Sequence, residues 1–424
     1  MLTTPRNLKG VAEDPQNCES RRIDDAPCLA CGCLCDDITL MVRGGRIVDA
    51  QRACDLGRRW FLEAREPADW PEATVSGQTV SRQESLERAC AILRAARSPV
   101  VLGLSNSSCE TQRAAAALAD RLGAVVSLSH EADARARLAA FQRVGRVSAS
   151  LGEVKARADV IAFWGIDPVL THPRHFGRYS VDATGRFAPE KRLVLVADER
   201  ETETMKRADA KQVLTSRGER LTALQTLRSM ARGSIADGPW KPWIEALRAA
   251  RYGAWFFGTR FGDDLLTTAE HTAMMMLIRE LNGQRRFVAL PIGEAGNPTG
   301  AENVLAWQTG YPSSVSLAQG FPSFEPERGS VRDRLNAGEF DAAVIVGDVA
   351  PTDGLDQIPT IAIGSKATSP GASWNVAMAA ATPGISGGGT AMRCDGVMLP
   401  LRPGLKSRWP DERQWLASIE EGLR

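Results

Sequence analysis

The sequence has no charge excess and no long apolar run. Its 424 residues include 52 basic and 51 acidic side chains, so the formal net charge is only +1. Proteins that bind nucleic acid or anionic membranes through charge usually carry a strong basic excess. No apolar stretch reaches the roughly 18 to 20 residues that a membrane-spanning helix needs. We therefore expect neither nucleic acid nor a membrane as a partner.

The amino terminus also lacks the basic start and apolar core of a secretory signal peptide. The nine cysteines are odd in number and clustered, which is not the pattern of a disulfide framework. Both observations predict a cytoplasmic protein. With 43% hydrophobic residues and roughly 150 residues per domain as a guide, the chain has enough apolar residues for two to four folded units.

Five of the nine cysteines fall within 27 residues. Cys28, Cys31, Cys35 and Cys54 are separated by two, three and eighteen residues. Thiolates spaced two and three residues apart in a tight loop can converge on one centre, which a distant fourth thiolate completes. The spacing predicts a [4Fe-4S] cluster, with tetrahedral zinc or a set of buried free thiols as the alternatives. Cys33 is then the spare cysteine.

Apolar runs of strand length recur along the chain and end at glycine or aspartate. They cover residues 99–103, 158–165, 193–198 and 341–347. An alanine-rich helical segment over 111–122 follows the first run, which predicts parallel α/β units of the doubly wound type. Ligands bind at the carboxyl ends of such strands.

Shorter patterns add local predictions. Strands 38–43 and 46–50 flank Gly44-Gly45 and predict a hairpin. Residues 221–230 and 269–281 have helical periodicity, and the methionine run 274–276 in the second helix is typical of core packing. The glycine-rich loop 383–390 matches neither the Walker nor the dinucleotide pattern.

Several longer strings resemble the B subunit of formylmethanofuran dehydrogenase. The strings are the cysteine segment with Cys35-Asp-Asp-Ile, Gly103-Leu-Ser-Asn-Ser-Ser-Cys-Glu-Thr-Gln, Leu151-Gly-Glu-Val-Lys-Ala-Arg-Ala-Asp-Val-Ile, Trp164-Gly-Ile-Asp-Pro, His172-Pro-Arg-His-Phe-Gly-Arg-Tyr-Ser, Trp307-Gln-Thr-Gly-Tyr-Pro and Gly389-Thr-Ala-Met-Arg-Cys-Asp-Gly-Val. The resemblance extends from about residue 25 to residue 402.

The resemblance implies a molybdopterin-oxidoreductase-like α/β fold in three parts. Residues 1–24 would be a flexible lead-in and 25–75 an iron-sulfur module. Residues 76–150 and 330–424 would form a discontinuous Rossmann-like unit into which a second unit, 151–329, is inserted. In this family the two units hold molybdopterin guanine dinucleotide with tungsten or molybdenum, and the partners are other subunits of a formylmethanofuran dehydrogenase complex. A bacterial branch belongs instead to a formyltransferase/hydrolase complex without redox chemistry.

Ser129 distinguishes between these two functions. The dehydrogenases carry a metal-ligating cysteine or selenocysteine directly before a histidine, where this chain reads Ser129-His130. Thiolate suits a low-potential tungsten or molybdenum site, whereas a serine oxygen is a harder ligand. His130 could move the proton of the formate reaction beside a bound metal and would otherwise be a polar residue near a pocket. The resemblance therefore favours the bacterial branch, in which this subunit has lost its redox site.

The remaining candidate cofactor-binding residues are Gly165, Asp167, His172, Arg174, Gly388 and Gly389. Arg174 is the expected charge partner of a phosphate or pterin, although a loop held by hydrogen bonds explains the same motif. The chain has no arginine between Arg286 and Arg328, where the dehydrogenases carry one suited to formate, and Glu294 in that segment would repel formate. We expect a subunit that organises formyl transfer; the alternative is a working tungsten or molybdenum dehydrogenase.

Overall fold

The computed structural model describes residues 20–129, 131–214, 216–258, 265–283, 285–325, 328–348 and 354–424. Within these ranges the chain forms four sheets and a set of α-helices. The strands are β1 (Arg21–Ala26), β2 (Ile38–Arg43), β3 (Arg46–Gln51), β4 (Ala73–Val75), β5 (Gln78–Thr79), β6 (Pro99–Gly103), β7 (Val125–Leu128), β8 (Val160–Trp164), β9 (Leu193–Asp198), β10 (Ala210–Val213), β11 (Tyr252–Phe257), β12 (Arg286–Pro291), β13 (Val315–Ser316), β14 (Ser323–Phe324), β15 (Ala342–Val346), β16 (Thr360–Gly364), β17 (Val376–Ala379), β18 (Gly389–Met392) and β19 (Met398–Leu401). The helices are α1 (Asp55–Leu62), α2 (Arg82–Ala95), α3 (Cys109–Leu122), α4 (Glu131–Val144), α5 (Leu151–Arg157), α6 (Pro168–Thr171), α7 (His175–Tyr179), α8 (Arg217–Ala231), α9 (Lys241–Ala249), α10 (Leu265–Leu281), α11 (Pro298–Thr309), α12 (Val331–Asn336) and α13 (Glu412–Gly422).

The amino-terminal module is a three-stranded antiparallel sheet in the order β1-β2-β3, followed by α1. Gly44 and Gly45 both have positive φ and connect β2 to β3, so the predicted hairpin is confirmed. Residues 21–24 were expected in the flexible lead-in but belong to β1, because pairing with β2 orders a segment that has no periodicity of its own. The rest of that prediction, residues 1–19, lies outside the described residues.

The larger sheet has nine strands in the order β14-β13-β7-β6-β15-β16-β17-β4-β5. Its five central strands, from β7 to β17, run parallel, and the outer strands pair antiparallel. Small aliphatic residues fill the space between this sheet and helices α2, α3 and α13. Because β6 pairs directly with β15, this sheet joins segments that lie more than two hundred residues apart in the sequence.

The five-stranded sheet is entirely parallel, in the order β10-β9-β8-β11-β12. One face is packed with aromatic residues, among them Trp164, Trp243 and Trp255, against helices α8, α9 and α10. Met274 and Met275 are buried in the same core, as predicted for the methionine run. The described helices include none with the length and apolar character of a membrane span.

The positions at which the chain passes from one sheet to another differ from the predicted domain boundaries. β4, placed by sequence in the small module, pairs with β17 of the nine-stranded sheet. The hairpin of β13 and β14 was assigned to the inserted unit but extends the nine-stranded sheet through β7. Strands this short carry little periodicity, so only their tertiary partners reveal which unit they join.

Candidate functional site

The clustered cysteines of the amino-terminal loop line one small pocket. Its walls include Cys28, Cys31, Cys33, Cys35 and Cys54, together with Arg174. A Cβ on Gly57 would lie 3.0 Å from the Cys28 sulfur and 3.9 Å from the Cys54 sulfur, so the first turn of α1 brings the distant fourth cysteine to the loop. The two segments therefore meet where the spacing predicted a shared centre.

Burial controls the ionisation of these thiols. Loss of water raises the pKa of Cys28 above its usual value and that of Cys35 to about 12, while a hydrogen bond from Cys33 lowers the pKa of Cys31. The described residues contain no group of three or more His, Cys, Asp or Glu side chains placed to hold one metal ion. In donor identity the pocket fits a thiolate-ligated centre, and a bound cluster would supply the positive charge that buried thiolates need.

Two arginines tie the cysteine loop to the five-stranded unit. Arg174 donates from both terminal nitrogens to the two carboxylate oxygens of Asp37, at 2.7 Å each. Arg178 pairs with Asp37 at 2.6 Å and also with Asp36. Because these contacts occupy Arg174, its role in this structure is to hold the cysteine loop against α7, the loop-holding alternative of the sequence analysis.

Gly293, two residues after β12, is the point at which the cysteine loop, the loop before α7 and the segment after β18 meet. A Cβ on Gly32 would lie 2.3 Å from the Gly293 carbonyl oxygen, so only glycine at residue 32 allows this approach. The same carbonyl accepts a 2.9 Å hydrogen bond from His172 Nε2. The Cys394 side chain lies 3.5 Å from a Cβ built on Gly293. Gly293 thus joins the cysteine loop to the start of the segment that leads into α11.

The two histidines of the His172-Pro-Arg-His175 motif are separate and neutral. His172 accepts from the Thr171 hydroxyl at 2.8 Å, and burial lowers its pKa to about 4. His175 lies among aromatic rings, 2.9 Å from the Ser180 hydroxyl, and burial lowers its pKa to about 3. Their hydrogen bonds fix loop geometry, so the pair has the role of core histidines.

The predicted ligand-binding residues at the end of β8 also make internal contacts. Gly165 has φ +61 and donates its backbone N–H to Ala197. The Asp167 carboxylate accepts three hydrogen bonds, from the backbone N–H groups of Glu203 and Thr204 and from the Thr204 hydroxyl. Asp167 therefore closes the loop after β8 onto the segment after β9.

Ser129 follows β7 at the carboxyl edge of the nine-stranded sheet. Its side chain is exposed, and both its hydroxyl and its backbone N–H donate to the Gly103 carbonyl at 3.2 Å. His130, the second residue of this predicted site, lies outside the described residues. The serine hydroxyl thus satisfies the last carbonyl of β6.

The glycine-rich loop contacts a carboxylate. Thr390 donates from its backbone N–H and its hydroxyl to Glu110, at 2.8 Å each, in the first turn of α3. A Cβ on Gly389 would lie 2.6 Å from the Glu110 carboxylate, so a glycine is needed there for close packing. Gly388 is exposed with open space around it. The carboxylate of Glu110 thus packs against the loop in which Gly388 and Gly389 were predicted to bind a cofactor.

A cavity of about 370 Å³ lies on the other side of Gly293, between α4, α10 and α11. Arg137, Arg146, Glu294 and Glu302 line it, and Arg137 pairs with Glu302 at 2.7 Å. Neither arginine was predicted from the sequence, because Arg137 of α4 and Arg146 just after that helix lie more than 140 residues before Glu294 in the chain. No local motif marks them.

The fold and site define an α/β protein in which a cysteine-lined amino-terminal module docks onto two parallel-sheet units. No family model matches the chain. It is 31% identical to the B subunit of "Tungsten-containing formylmethanofuran dehydrogenase 2" of Methanocaldococcus jannaschii over 403 residues, 88% of this chain and 92% of the relative. The protein of that name from Methanococcus maripaludis is 30% identical, covering 90% and 93%. The chain therefore belongs to the B-subunit family of formylmethanofuran dehydrogenase.

The bacterial branch is represented as well. The B subunit of the "Formyltransferase/hydrolase complex Fhc" of Methylorubrum extorquens is 29% identical over 279 residues, 64% of this chain and 73% of the relative. A chain in the crystal structure of the formyltransferase/hydrolase complex FhcABCD from that organism, in complex with methylofuran, superposes with a TM-score of 0.73 at 27% identity. The match covers 83% of this chain and 98% of that chain, so the fold is shared almost throughout.

Proposed function

We propose that this chain is a subunit of a formyl-transferring complex that has lost metal-centred redox catalysis. Ser129 carries the proposal, because it stands where the resemblance places the thiolate or selenolate ligand of the dehydrogenases. Its hydroxyl already donates to the Gly103 carbonyl. Serine offers a harder donor than the soft ligand that such a low-potential site requires.

In this role the chain organises partner subunits that perform the chemistry. The crystallised relative assembles in FhcABCD together with methylofuran, and we propose an assembly of the same kind here, with a furan-containing formyl carrier bound by the complex. The two parallel-sheet units would retain the Rossmann-like architecture of molybdopterin oxidoreductases without holding the pterin. The proposed location is the cytoplasm.

We also propose that Cys28, Cys31, Cys35 and Cys54 hold a [4Fe-4S] cluster with a structural role. Four sulfur donors from two segments line one pocket, and Arg174 and Arg178 neutralise the adjacent acidic residues. Metal-binding energy is folding energy when the site does not exist in the unfolded chain. The cluster would therefore staple residues 25–75 together, which explains why a subunit without redox chemistry retains it.

The deciding experiment measures tungsten, molybdenum, iron and zinc in the complex purified without oxygen, together with formate-dependent dye reduction. We expect neither heavy metal and no dye reduction, with formyl transfer intact. A tungsten-containing dehydrogenase relative carried through the same purification is the control. Stoichiometric tungsten or molybdenum with dye reduction would overturn the proposal and favour the dehydrogenase. Zinc without iron would show that the four cysteines hold a zinc centre and not a [4Fe-4S] cluster.

A further inference from the structure

The cavity beside Gly293 has two arginines and only one carboxylate that acts on both of them. Arg137 donates to both carboxylate oxygens of Glu302, at 2.7 and 3.3 Å. Across the described residues, the Arg146 guanidinium makes no hydrogen bond and no ion pair. Two guanidinium groups thus share one carboxylate, and Arg146 is the one left without a direct partner.

Among the described residues, the other acidic side chains that line this cavity are already matched. Asp395 is held by Arg393, with nitrogen-to-oxygen distances of 2.8 Å. Glu294 also has an interaction partner. Arg146 is exposed at the cavity wall. Partial removal of water and the neighbouring Arg137 lower its pKa and Glu302 acts in the opposite direction, but a guanidinium remains protonated at every physiological pH. One positive charge therefore remains for a ligand, which favours a single carboxylate over a doubly charged phosphate.

Much of the rest of the wall is apolar, although Ser148, His271, Thr299 and Asn303 also line it. Leu138 and Phe141 from α4 face Phe257 from the end of β11 and Met275 from α10. Phe141 is 54% exposed, so its ring is available at the opening. A volume of about 370 Å³ lies within the range of small-molecule sites, which combine apolar walls with few polar anchors.

We propose that this cavity binds a monocarboxylate carried on an apolar, flat body, with Arg146 as its anchor. The guanidinium fork matches the two oxygens of a carboxylate, and the side chains of Leu138, Phe141 and Met275 cover the apolar body. The proposal is independent of the formyl-transfer role, because organising a complex requires no ligand at this position. Elemental analysis does not test it, so the two proposals can fail separately.

The test is calorimetric titration of the purified complex with 2-naphthoate and with its neutral isostere 2-naphthamide. We expect saturable naphthoate binding at least about tenfold tighter than naphthamide binding, because only the acid gains a charge-assisted contact. Arg146→Met should abolish this preference, and Arg146→Lys should retain part of it. Arg143→Met, a neighbouring exposed arginine outside the cavity wall, is the matched control and should bind like the wild type.

Three outcomes would overturn the proposal. The first is no saturable naphthoate binding up to millimolar concentration. The second is equal affinity for the acid and the amide. The third is an unchanged preference in Arg146→Met, which would place the anion elsewhere. A thermal melt of each variant shows whether it is folded, and Arg146→Lys provides the comparison if the methionine variant does not assemble.

Discussion

The cysteine pocket and the cavity lined by Gly293 differ in how their charged side chains are paired. Around the cysteines each basic group has an acidic partner, as Arg174 has Asp37 and Arg178 has Asp36. In the cavity Arg146 makes no direct ion pair among the described residues and only shares Glu302 with Arg137, which holds that carboxylate. Paired charges in a half-buried place fix geometry, whereas an unpaired charge facing a cavity favours a ligand. The comparison separates residues that hold the fold from those available for binding.

The largest loss of stability should come from adding a side chain at Gly32, where the cysteine loop touches Gly293. In Gly32→Ala the new Cβ would overlap the Gly293 backbone, 2.3 Å from its carbonyl oxygen, and no flexible side chain can yield. We expect a loss of at least about 3 kcal/mol in the free energy of unfolding, measured by urea titration. Gly177→Ala, on α7 with open space around it, is the control and should change stability little.

Removing one cysteine thiol should destabilise the amino-terminal module selectively. If a cluster staples the module, Cys31→Ser should increase protease cleavage within residues 25–75 roughly tenfold and leave the two parallel-sheet units folded. Limited proteolysis with mass spectrometry, together with iron analysis, measures both effects. Cys90→Ser, a buried cysteine of α2 outside the pocket, is the control for iron content. Unchanged cleavage of the module would argue against a structural centre.

Glu412 sharpens the comparison because it is a buried acid that has no basic partner within the described part of the chain. Burial raises the pKa of this α13 carboxyl to about 8, and the charges of Asp348 and Asp411 add to the rise, while the hydroxyls of Ser107 and Thr111 act in the opposite direction. Because the folded-state pKa exceeds the unfolded one, the protein should lose stability as the pH rises from about 4.5 to about 8.

Glu412→Gln should remove this loss and be about 1 to 3 kcal/mol more stable than the wild type at pH 8. Urea unfolding at pH 5, 7 and 8 measures the difference, which should shrink at pH 5. Glu421→Gln, an exposed acid on the same helix, is the control. A difference that does not depend on pH would show that the substitution acts through packing alone.

The smallest loss of stability should come from removing the ion pair between Arg174 and Asp37. Partial burial acts to raise the pKa of Asp37, but the Arg174 hydrogen bond and both arginine charges outweigh it and place the pKa below its usual value. The pair therefore stabilises the fold above about pH 4 and should lose its effect as the pH falls through the lowered pKa.

Arg174→Met should cost about 1 to 2 kcal/mol at pH 7, and the difference from the wild type should narrow on acidification. Thermal melts between pH 3 and 7 follow this change. Arg207→Met, which breaks the exposed pair with Asp182, is the control and should have a smaller effect. A constant difference across this range would mean that Arg174 acts mainly through its aliphatic contacts.

The sequence predicted the strands that are continuous apolar runs and the hairpin at Gly44-Gly45. It also placed Cys28, Cys31, Cys35 and Cys54 together from their spacing, but it set aside Cys33, which lines the same pocket. It did not predict β4 or the β13–β14 hairpin, because these short segments become strands only by pairing with β17 and β7. Arg137 and Arg146 were missed for a similar reason, since only tertiary packing brings α4 and the segment just after it to the cavity beside α10 and α11.

The pairing of β6 with β15 has a consequence for how the protein is made. The five-stranded sheet is contained within residues 160–291 and can form as soon as that segment leaves the ribosome. β6 and β7 are synthesised first, but their central partner β15 arrives more than two hundred residues later. Long-range parallel pairing is slow and leaves strand edges open in the meantime. The inserted unit should therefore fold before the one that surrounds it, and premature termination before residue 342 should yield a chain with one finished sheet and one aggregation-prone edge.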